Sequence, residues 1–240
     1  MLELETSREK IAKNLYKVET TLKTLNLSQK PEIMAVIKYA CDQDVLNAAA
    51  SGIKIMGENR LQDAQSRWEN PQFKELRKQV DLHFIGRLQS NKAAKVASFF
   101  DSVDSIDCEK SASILNSAAE KAGKKLPVMI QLKINSRQSQ GGAEPSTFPD
   151  LFKAVKSMKN LSLRGLMAIG PITEDESQIR KAFLEAKKIY ESYFAGSLNE
   201  DGIKNFLSMG MSSDYIIAAE EGSSLLRIGS ILFERQPGEK

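Results

Sequence analysis

The stretch EIMAVIKYACDQDVLNAAASGIKIM, residues 32–56, changes rhythm twice. Glu32–Ile37 is a short apolar run of strand length. Gln43–Ala50 is an alanine-rich amphipathic segment that stops near Gly52, where a glycine commonly ends a helix. Ile53–Met56 is a second short apolar run. Strand, helix and strand so close together form a βαβ unit, and such a unit sets its two strands parallel.

The same alternation continues to the far end. A long polar-apolar helix is predicted from about Arg60 to Gln79, then a strand over Leu82–Ile85 and a helix over Asn91–Phe100. Ser102–Ile106 reads as a weak strand and Ser111–Ala122 as a helix stopped by Gly123. Val128–Ile134 is the clearest strand. Ser146–Met158 is helical, Leu163–Ile169 a strand, Glu174–Phe194 a long helix of mixed charge. Phe206–Met209 is a strand, Ser213–Glu221 a short helix, Leu225–Ile228 an eighth strand, and a short tail follows. Upstream of the first strand, Ile11, Leu15, Val18, Leu22 and Leu25 keep one apolar stripe through a helix over residues 4–26. Eight strand-helix units with no linker fit a closed barrel better than an open doubly wound sheet. The expected architecture is α/β: a single (β/α)8 TIM-like barrel over residues 1–240, with the extra N-terminal helix of residues 1–30 packed on it. Ser136–Pro149 is the one long polar loop, read as either a mobile lid or an ordinary surface loop.

Composition narrows the function classes. The chain has 240 residues and a net charge of +3, too small and too evenly spread to argue for nucleic acid or membrane as a partner. No run approaches the roughly 18 apolar residues of a membrane span, and the charged start is unlike a signal peptide. Two cysteines, Cys41 and Cys108, make no disulfide framework, so a cytoplasmic location is expected. His83 is the single histidine. With no CxxC and no His pair, zinc is disfavoured. No GxSxG accompanies His83 to suggest a serine nucleophile.

Active sites of such barrels lie at the C-terminal ends of the strands. Lys38 follows the apolar run of the first strand. A lysine there is either partly desolvated, which favours the neutral nucleophilic amine, or snorkels out to water. Ser208–Ser213 after the seventh strand and Gly229-Ser230 after the eighth are small and polar enough to cradle a phosphate, or are ordinary βα turns. Arg227 faces either the mouth or the surrounding helices, and in both cases needs a partner. His83 reads as a packing residue more readily than as a catalyst. Asn59 could bond a ligand hydroxyl or cap the next helix, and Glu58 reads as a solvated turn residue. Met167, Met209 and Met211 are expected to pack the barrel top.

Six ordered segments then carry a resemblance that spans residues 32–233. They are Ala35–Lys38, Gly57–Gln62, His83–Lys92, Leu163–Ile169, Leu207–Asp214 and Arg227–Ser230. In these the chain resembles the pyridoxal 5′-phosphate (PLP) homeostasis protein family, small proteins akin to the N-terminal barrel of alanine racemase. The resemblance implies PLP as cofactor, held on Lys38 as an internal aldimine, with Asn59 and Met167 beside it. It implies Ser208, Met211, Ser212, Gly229 and Ser230 around the phosphate and Arg227 at the pyridine nitrogen. An arginine there keeps its proton and weakens the ring as an electron sink. That suits storage or delivery of PLP better than turnover, with PLP-dependent apo-enzymes as clients and a monomer or weak dimer as the assembly. The family pattern Ser-Lys-Thr-Lys-Pro is replaced here by Ile37-Lys38-Tyr39-Ala40-Cys41, and Ser139-Gln140-Gly141-Gly142 lacks the usual loop lysine.

The alternative is an amino-acid racemase or another PLP-dependent enzyme. Racemases of this type continue into a β-domain that supplies a second acid/base, and two-base racemisation needs one on each face. This chain is expected to carry the barrel alone, with Tyr39 and His83 the conceivable second groups. An interaction protein that has lost its cofactor is disfavoured by the intact Lys38 and phosphate loops.

Overall fold

Thr6 opens the first helix. Its hydroxyl accepts the Glu9 amide, and the Glu9 carboxylate accepts the Thr6 amide, so two orphan donors are satisfied reciprocally. Helix α1 (Ser7–Thr24) buries Ile11, Leu15, Val18 and Leu22 on one stripe. The structure, a computed structural model, describes residues 6–135, 140–194 and 196–234. The first two residues of the predicted helix, the predicted start of the polar loop, and Ser139 lie outside them.

After α1 the chain alternates as expected: β1 (Glu32–Val36), α2 (Asp42–Ala50), β2 (Ile55–Glu58), α3 (Leu61–Trp68) and the short α4 (Lys74–Arg77). Next come β3 (Asp81–Phe84), α5 (Ala93–Phe99), β4 (Ser102–Ile106), α6 (Glu109–Lys121), β5 (Leu126–Leu132) and α7 (Phe148–Lys156). The last units are β6 (Leu161–Ala168), α8 (Glu176–Tyr193), β7 (Phe206–Met211), α9 (Tyr215–Glu220), β8 (Leu225–Ile228) and a one-turn α10 (Ser230–Phe233). Every strand pairs in parallel with its neighbours, and β8 returns to β1 through Leu225 opposite Glu32 and Arg227 opposite Met34, which closes the barrel. Closure leaves no sheet edge exposed.

Several bounds shift by one or two residues, as in β5, read from the sequence as Val128–Ile134, and β6, read as Leu163–Ile169, and three further details differ. The predicted helix over Arg60–Gln79 is broken: Pro71 starts a 3-10 turn, Pro71–Phe73, whose first free amide is capped by the Asn70 side chain. A proline lacks the N–H a helix interior needs, while it fits a first turn. The second strand begins at Ile55, not Ile53, because Ile53 is buried with the helix-facing core instead. The predicted tail contains α10.

Alternation along the strands sorts the core into two parts. One set, including Ala35, Leu82, Phe84, Val103, Val128 and Leu207, packs outward against the helices. The other, Met34, Ile55, Met129, Met167, Phe206 and Leu225, fills the barrel interior. The interior also holds a ladder of charge. Arg164 lies over the Phe206 ring, 4.7 Å from its centroid, and 3.6 Å from Asp81. Asp81 stands 3.1 Å from His83 Nε2, and His83 Nδ1 lies 2.7 Å from Asp104. The Ser102 hydroxyl donates to the other Asp104 oxygen at 2.8 Å. Burial alone would lower the His83 pKa, but Asp104 and then Asp81 outweigh it and hold it up at about 9. The packing reading of His83 agrees with its burial and its bond to Asp104, and the structure adds that two carboxylates flank the ring and favour its charged form.

Candidate functional site

At the C-terminal end of the strands the barrel opens into a cavity of about 620 Å³. Two smaller depressions, of about 350 and 440 Å³, are lined by residues at the N-terminal ends of strands, where barrels carry stability rather than chemistry.

Lys38 stands at the rim. Ile37 and Ala40 close a turn around it, with the Ala40 amide donating to the Ile37 carbonyl at 3.1 Å, so Lys38 and Tyr39 are its two central residues. Lys38 is exposed, and its Nζ lies 5.2 Å from the Tyr39 ring centroid. The snorkelling alternative is the one this structure adopts. Asn59 lines the cavity beside it. It does not cap α3, whose N-cap is Arg60 with no side-chain bond. Gly86 allows this arrangement, because a Cβ on it would fall 2.1 Å from the Asn59 carbonyl oxygen. Ile85, Met167 and Ile169 give the cavity an apolar wall.

Arg227 forms the floor. It is buried, and it faces into the barrel rather than the helices. Its Nη1 donates to the Ser208 carbonyl and hydroxyl at 2.9 and 2.8 Å, and its Nη2 to the Ala168 carbonyl at 2.9 Å. Burial pushes the guanidinium down to about 10, against the pull of Asp214 and Asp104, so it stays charged at neutral pH. Three of its bonds are used, and a guanidinium has five N–H donors. Met211, Ser212, Gly229 and Ser230 line the opposite wall. The Ser212 hydroxyl ties the last two loops together, accepting the Gly229 and Ile231 amides at 3.3 Å each. Gly210 makes that wall possible: it sits at φ +90°, and a Cβ there would meet Ala218 at 2.5 Å.

Eight of the nine expected residues thus border one cavity: Lys38, Asn59, Met167, Met211, Ser212, Arg227, Gly229 and Ser230. Ser208 lies one layer deeper, as an acceptor for Arg227. Met209 points to the helices, not to the mouth. Glu58 corrects the sequence reading outright. It is fully buried and bonded to Arg67 at 2.6 Å, where a solvated turn residue was expected. Arg67 itself was missed. Its partners lie up to 30 residues away in the chain, and only the buried strand position of Glu58, which demands a cation, hints at it. The described part of the polar loop folds back on β5, with the Gln131 side chain donating to the Gly141 carbonyl at 2.6 Å and Ala143 bridged to Leu132.

Comparison with known proteins identifies the family and its fold. The family model for the alanine racemase N-terminal domain matches residues 7–237. A pyridoxal phosphate homeostasis protein of Schizosaccharomyces pombe is 38% identical over 87% of this chain and 85% of its own. One of Pasteurella multocida is 32% identical over 93% of this chain and 96% of its own. Among solved structures, PipY of Synechococcus elongatus PCC7942 with PLP bound is 27% identical with a TM-score of 0.76, covering 93% of this chain and 99% of that one. An alanine racemase of Clostridium difficile shares the fold at 13% identity and a TM-score of 0.71, with 57% of its length covered. The chain belongs to the pyridoxal phosphate homeostasis protein family, built on the alanine racemase N-terminal barrel.

Proposed function

We propose that this protein binds PLP in the cavity, carries it covalently on Lys38, and serves intracellular PLP storage and delivery without robust catalysis. The observation that supports this best is the pairing of an exposed amine at the rim with a buried guanidinium at the floor, across an apolar-walled space of about 620 Å³. That volume is within the usual range for a small-molecule site. The residues fit the group. Ser212 and Ser230 offer hydroxyls to a phosphate, and Gly229 between their loops puts no side chain in its way. Arg227 keeps unused donors for a ring nitrogen, and Asn59 and Met167 flank the ring. Loading requires only that the amine nitrogen bond to the aldehyde carbon, with loss of one water that takes the aldehyde oxygen and two hydrogens.

The carrier reading is favoured over racemisation by the cavity lining. Among the described lining residues, Tyr39 is the one titratable side chain besides Lys38 and Arg227. It adjoins Lys38 in the same turn, and a two-base reaction needs its groups on opposite faces. His83 is buried beneath, outside the lining.

The test is an absorbance spectrum of purified protein with added PLP, before and after borohydride, with Lys38→Ala in parallel. A visible band bleached by borohydride and absent from the variant is expected. A colourless wild type, or an unchanged band in Lys38→Ala, would sink the assignment. Interconversion of L- and D-alanine at ordinary enzymatic rates would overturn the carrier reading in favour of the racemase.

A further inference from the structure

Arg67 sits near the end of α3 and its side chain is only 12% exposed. All its partners surround the turn that bears Lys38. Nη1 donates to the Ile37 carbonyl at 3.2 Å and Nη2 to the Ala40 carbonyl at 2.6 Å, the two corners of that turn. Nε donates to Asp42, the first residue of α2, at 3.1 Å. Nη1 also bonds Glu58, which directly precedes Asn59, at 2.6 Å. One planar fork therefore locks the end of β1, the start of α2 and the end of β2 into a single unit. A lysine could not reproduce this, because a single ammonium on a flexible stem cannot span several fixed acceptors.

The cost of the arrangement shows that it is built. Glu58 is fully buried, with its second oxygen unpartnered among the described residues. A buried carboxylate is tolerated where a bonded cation offsets its desolvation. Packing alone would be served by an apolar pair at these positions. The Arg67–Glu58 pair instead presents a rigid set of donors to two backbone carbonyls that Lys38 and Tyr39 separate.

We propose that Arg67 is a positioning residue for Lys38: it fixes the turn that presents the amine, so covalent capture of an aldehyde depends on it while seating of the ring and phosphate does not. The proposal rests on the PLP-carrier reading. Arg67 lines no part of the cavity, and among the described residues it bonds neither the loops after β7 and β8 nor Arg227, so its removal leaves the phosphate side and Arg227 in place. The strand end that bears Asn59 keeps a second anchor without it, because the Ile85 amide of the neighbouring strand donates to the Glu58 carbonyl at 2.9 Å.

The experiment compares two probes on wild type, Arg67→Lys and the double variant Glu58→Gln/Arg67→Gln. PLP can condense with the amine. Pyridoxine 5′-phosphate has the same ring and phosphate but an alcohol in place of the aldehyde, and binds without a covalent bond. Arg67→Lys keeps a cation beside Glu58, and the double variant removes both charges, so neither leaves a buried ion alone. PLP affinity, read from the borohydride-sensitive band, is expected to fall at least tenfold in both variants. Pyridoxine 5′-phosphate affinity, read by calorimetry, is expected to stay within threefold. Unchanged PLP affinity in either folded variant overturns the proposal. Equal loss of both probes overturns it as well, because Arg67 would then shape the whole cavity. A wild type that binds pyridoxine 5′-phosphate yet never forms the band refutes the covalent reading beneath it, and the proposal with it.

Discussion

His83 and Arg227 show how single residues acquire meaning from what faces them. Both are cations sealed in the barrel, and each is tolerated because acceptors meet it. For His83 the sign of the pH effect follows directly. Its folded pKa of about 9 lies above the ordinary 6.5, so its stabilisation is complete below pH 6.5 and is lost as pH rises through 9. The urea midpoint is expected to fall between pH 7 and pH 10, and the fall should flatten in His83→Gln. That variant also leaves Asp104 and Asp81 without their shared cation, at a cost of about 3–5 kcal/mol. A pH-independent midpoint in the wild type would contradict a charged His83. For Arg227→Gln, loss of donors to the Ser208 and Ala168 carbonyls is expected to cost about 1–3 kcal/mol in urea denaturation. PLP affinity should weaken while the borohydride-sensitive band at Lys38 still forms at high PLP. If the band vanished at every concentration, Arg227 would be needed for more than a ring contact.

Among the elements, the seventh strand and its turn are tightly constrained. Gly210 combines a positive φ with contact against α9, and neither is open to a side chain. Gly210→Ala is expected to lower stability by about 1–3 kcal/mol and to weaken phosphate-bearing ligands, as seen by thermal denaturation with and without pyridoxine 5′-phosphate. A neutral substitution would mean the β7 turn can rearrange at little cost. The break at Pro71 makes the same point about propensity. The apolar period runs on through residues 60–79, but a missing N–H and an Asn70 cap outrank it. Where no such competing signal intervenes, as over Ser102–Ile106 and Leu225–Ile228, the strand bounds read from the sequence match those observed.

Over the whole molecule, α1 links the barrel wall to the segment that follows β8 at the mouth. It packs its apolar stripe on the fold, and Asn14 donates to the Leu232 carbonyl and to Glu234 at 3.4 and 3.0 Å, just past Ser230. Ser7 donates to Asp44 of α2 at 2.5 Å, close to the turn that Arg67 holds. Removing residues 1–26 is therefore expected to lower the thermal midpoint by at least 10 °C, given about 1.5–3 kcal/mol for each buried aliphatic side chain lost. PLP affinity should fall with it. A truncated barrel with unchanged midpoint and affinity would show that α1 is an accessory to neither. No described helix is long and apolar enough to cross a membrane.

Periodicity and punctuation determined the order of elements, the closed α/β architecture and the stretch of chain near which each cavity residue would stand, because strand ends are local properties and barrel closure collects them on one face. Tertiary structure decided what those residues do there. That Arg227 turns inward, that Ser208 supports it from below, that Glu58 is buried and that Arg67 holds the Lys38 turn all depend on partners far off in sequence. Desolvation and hydrogen-bond geometry act between residues that only folding makes neighbours.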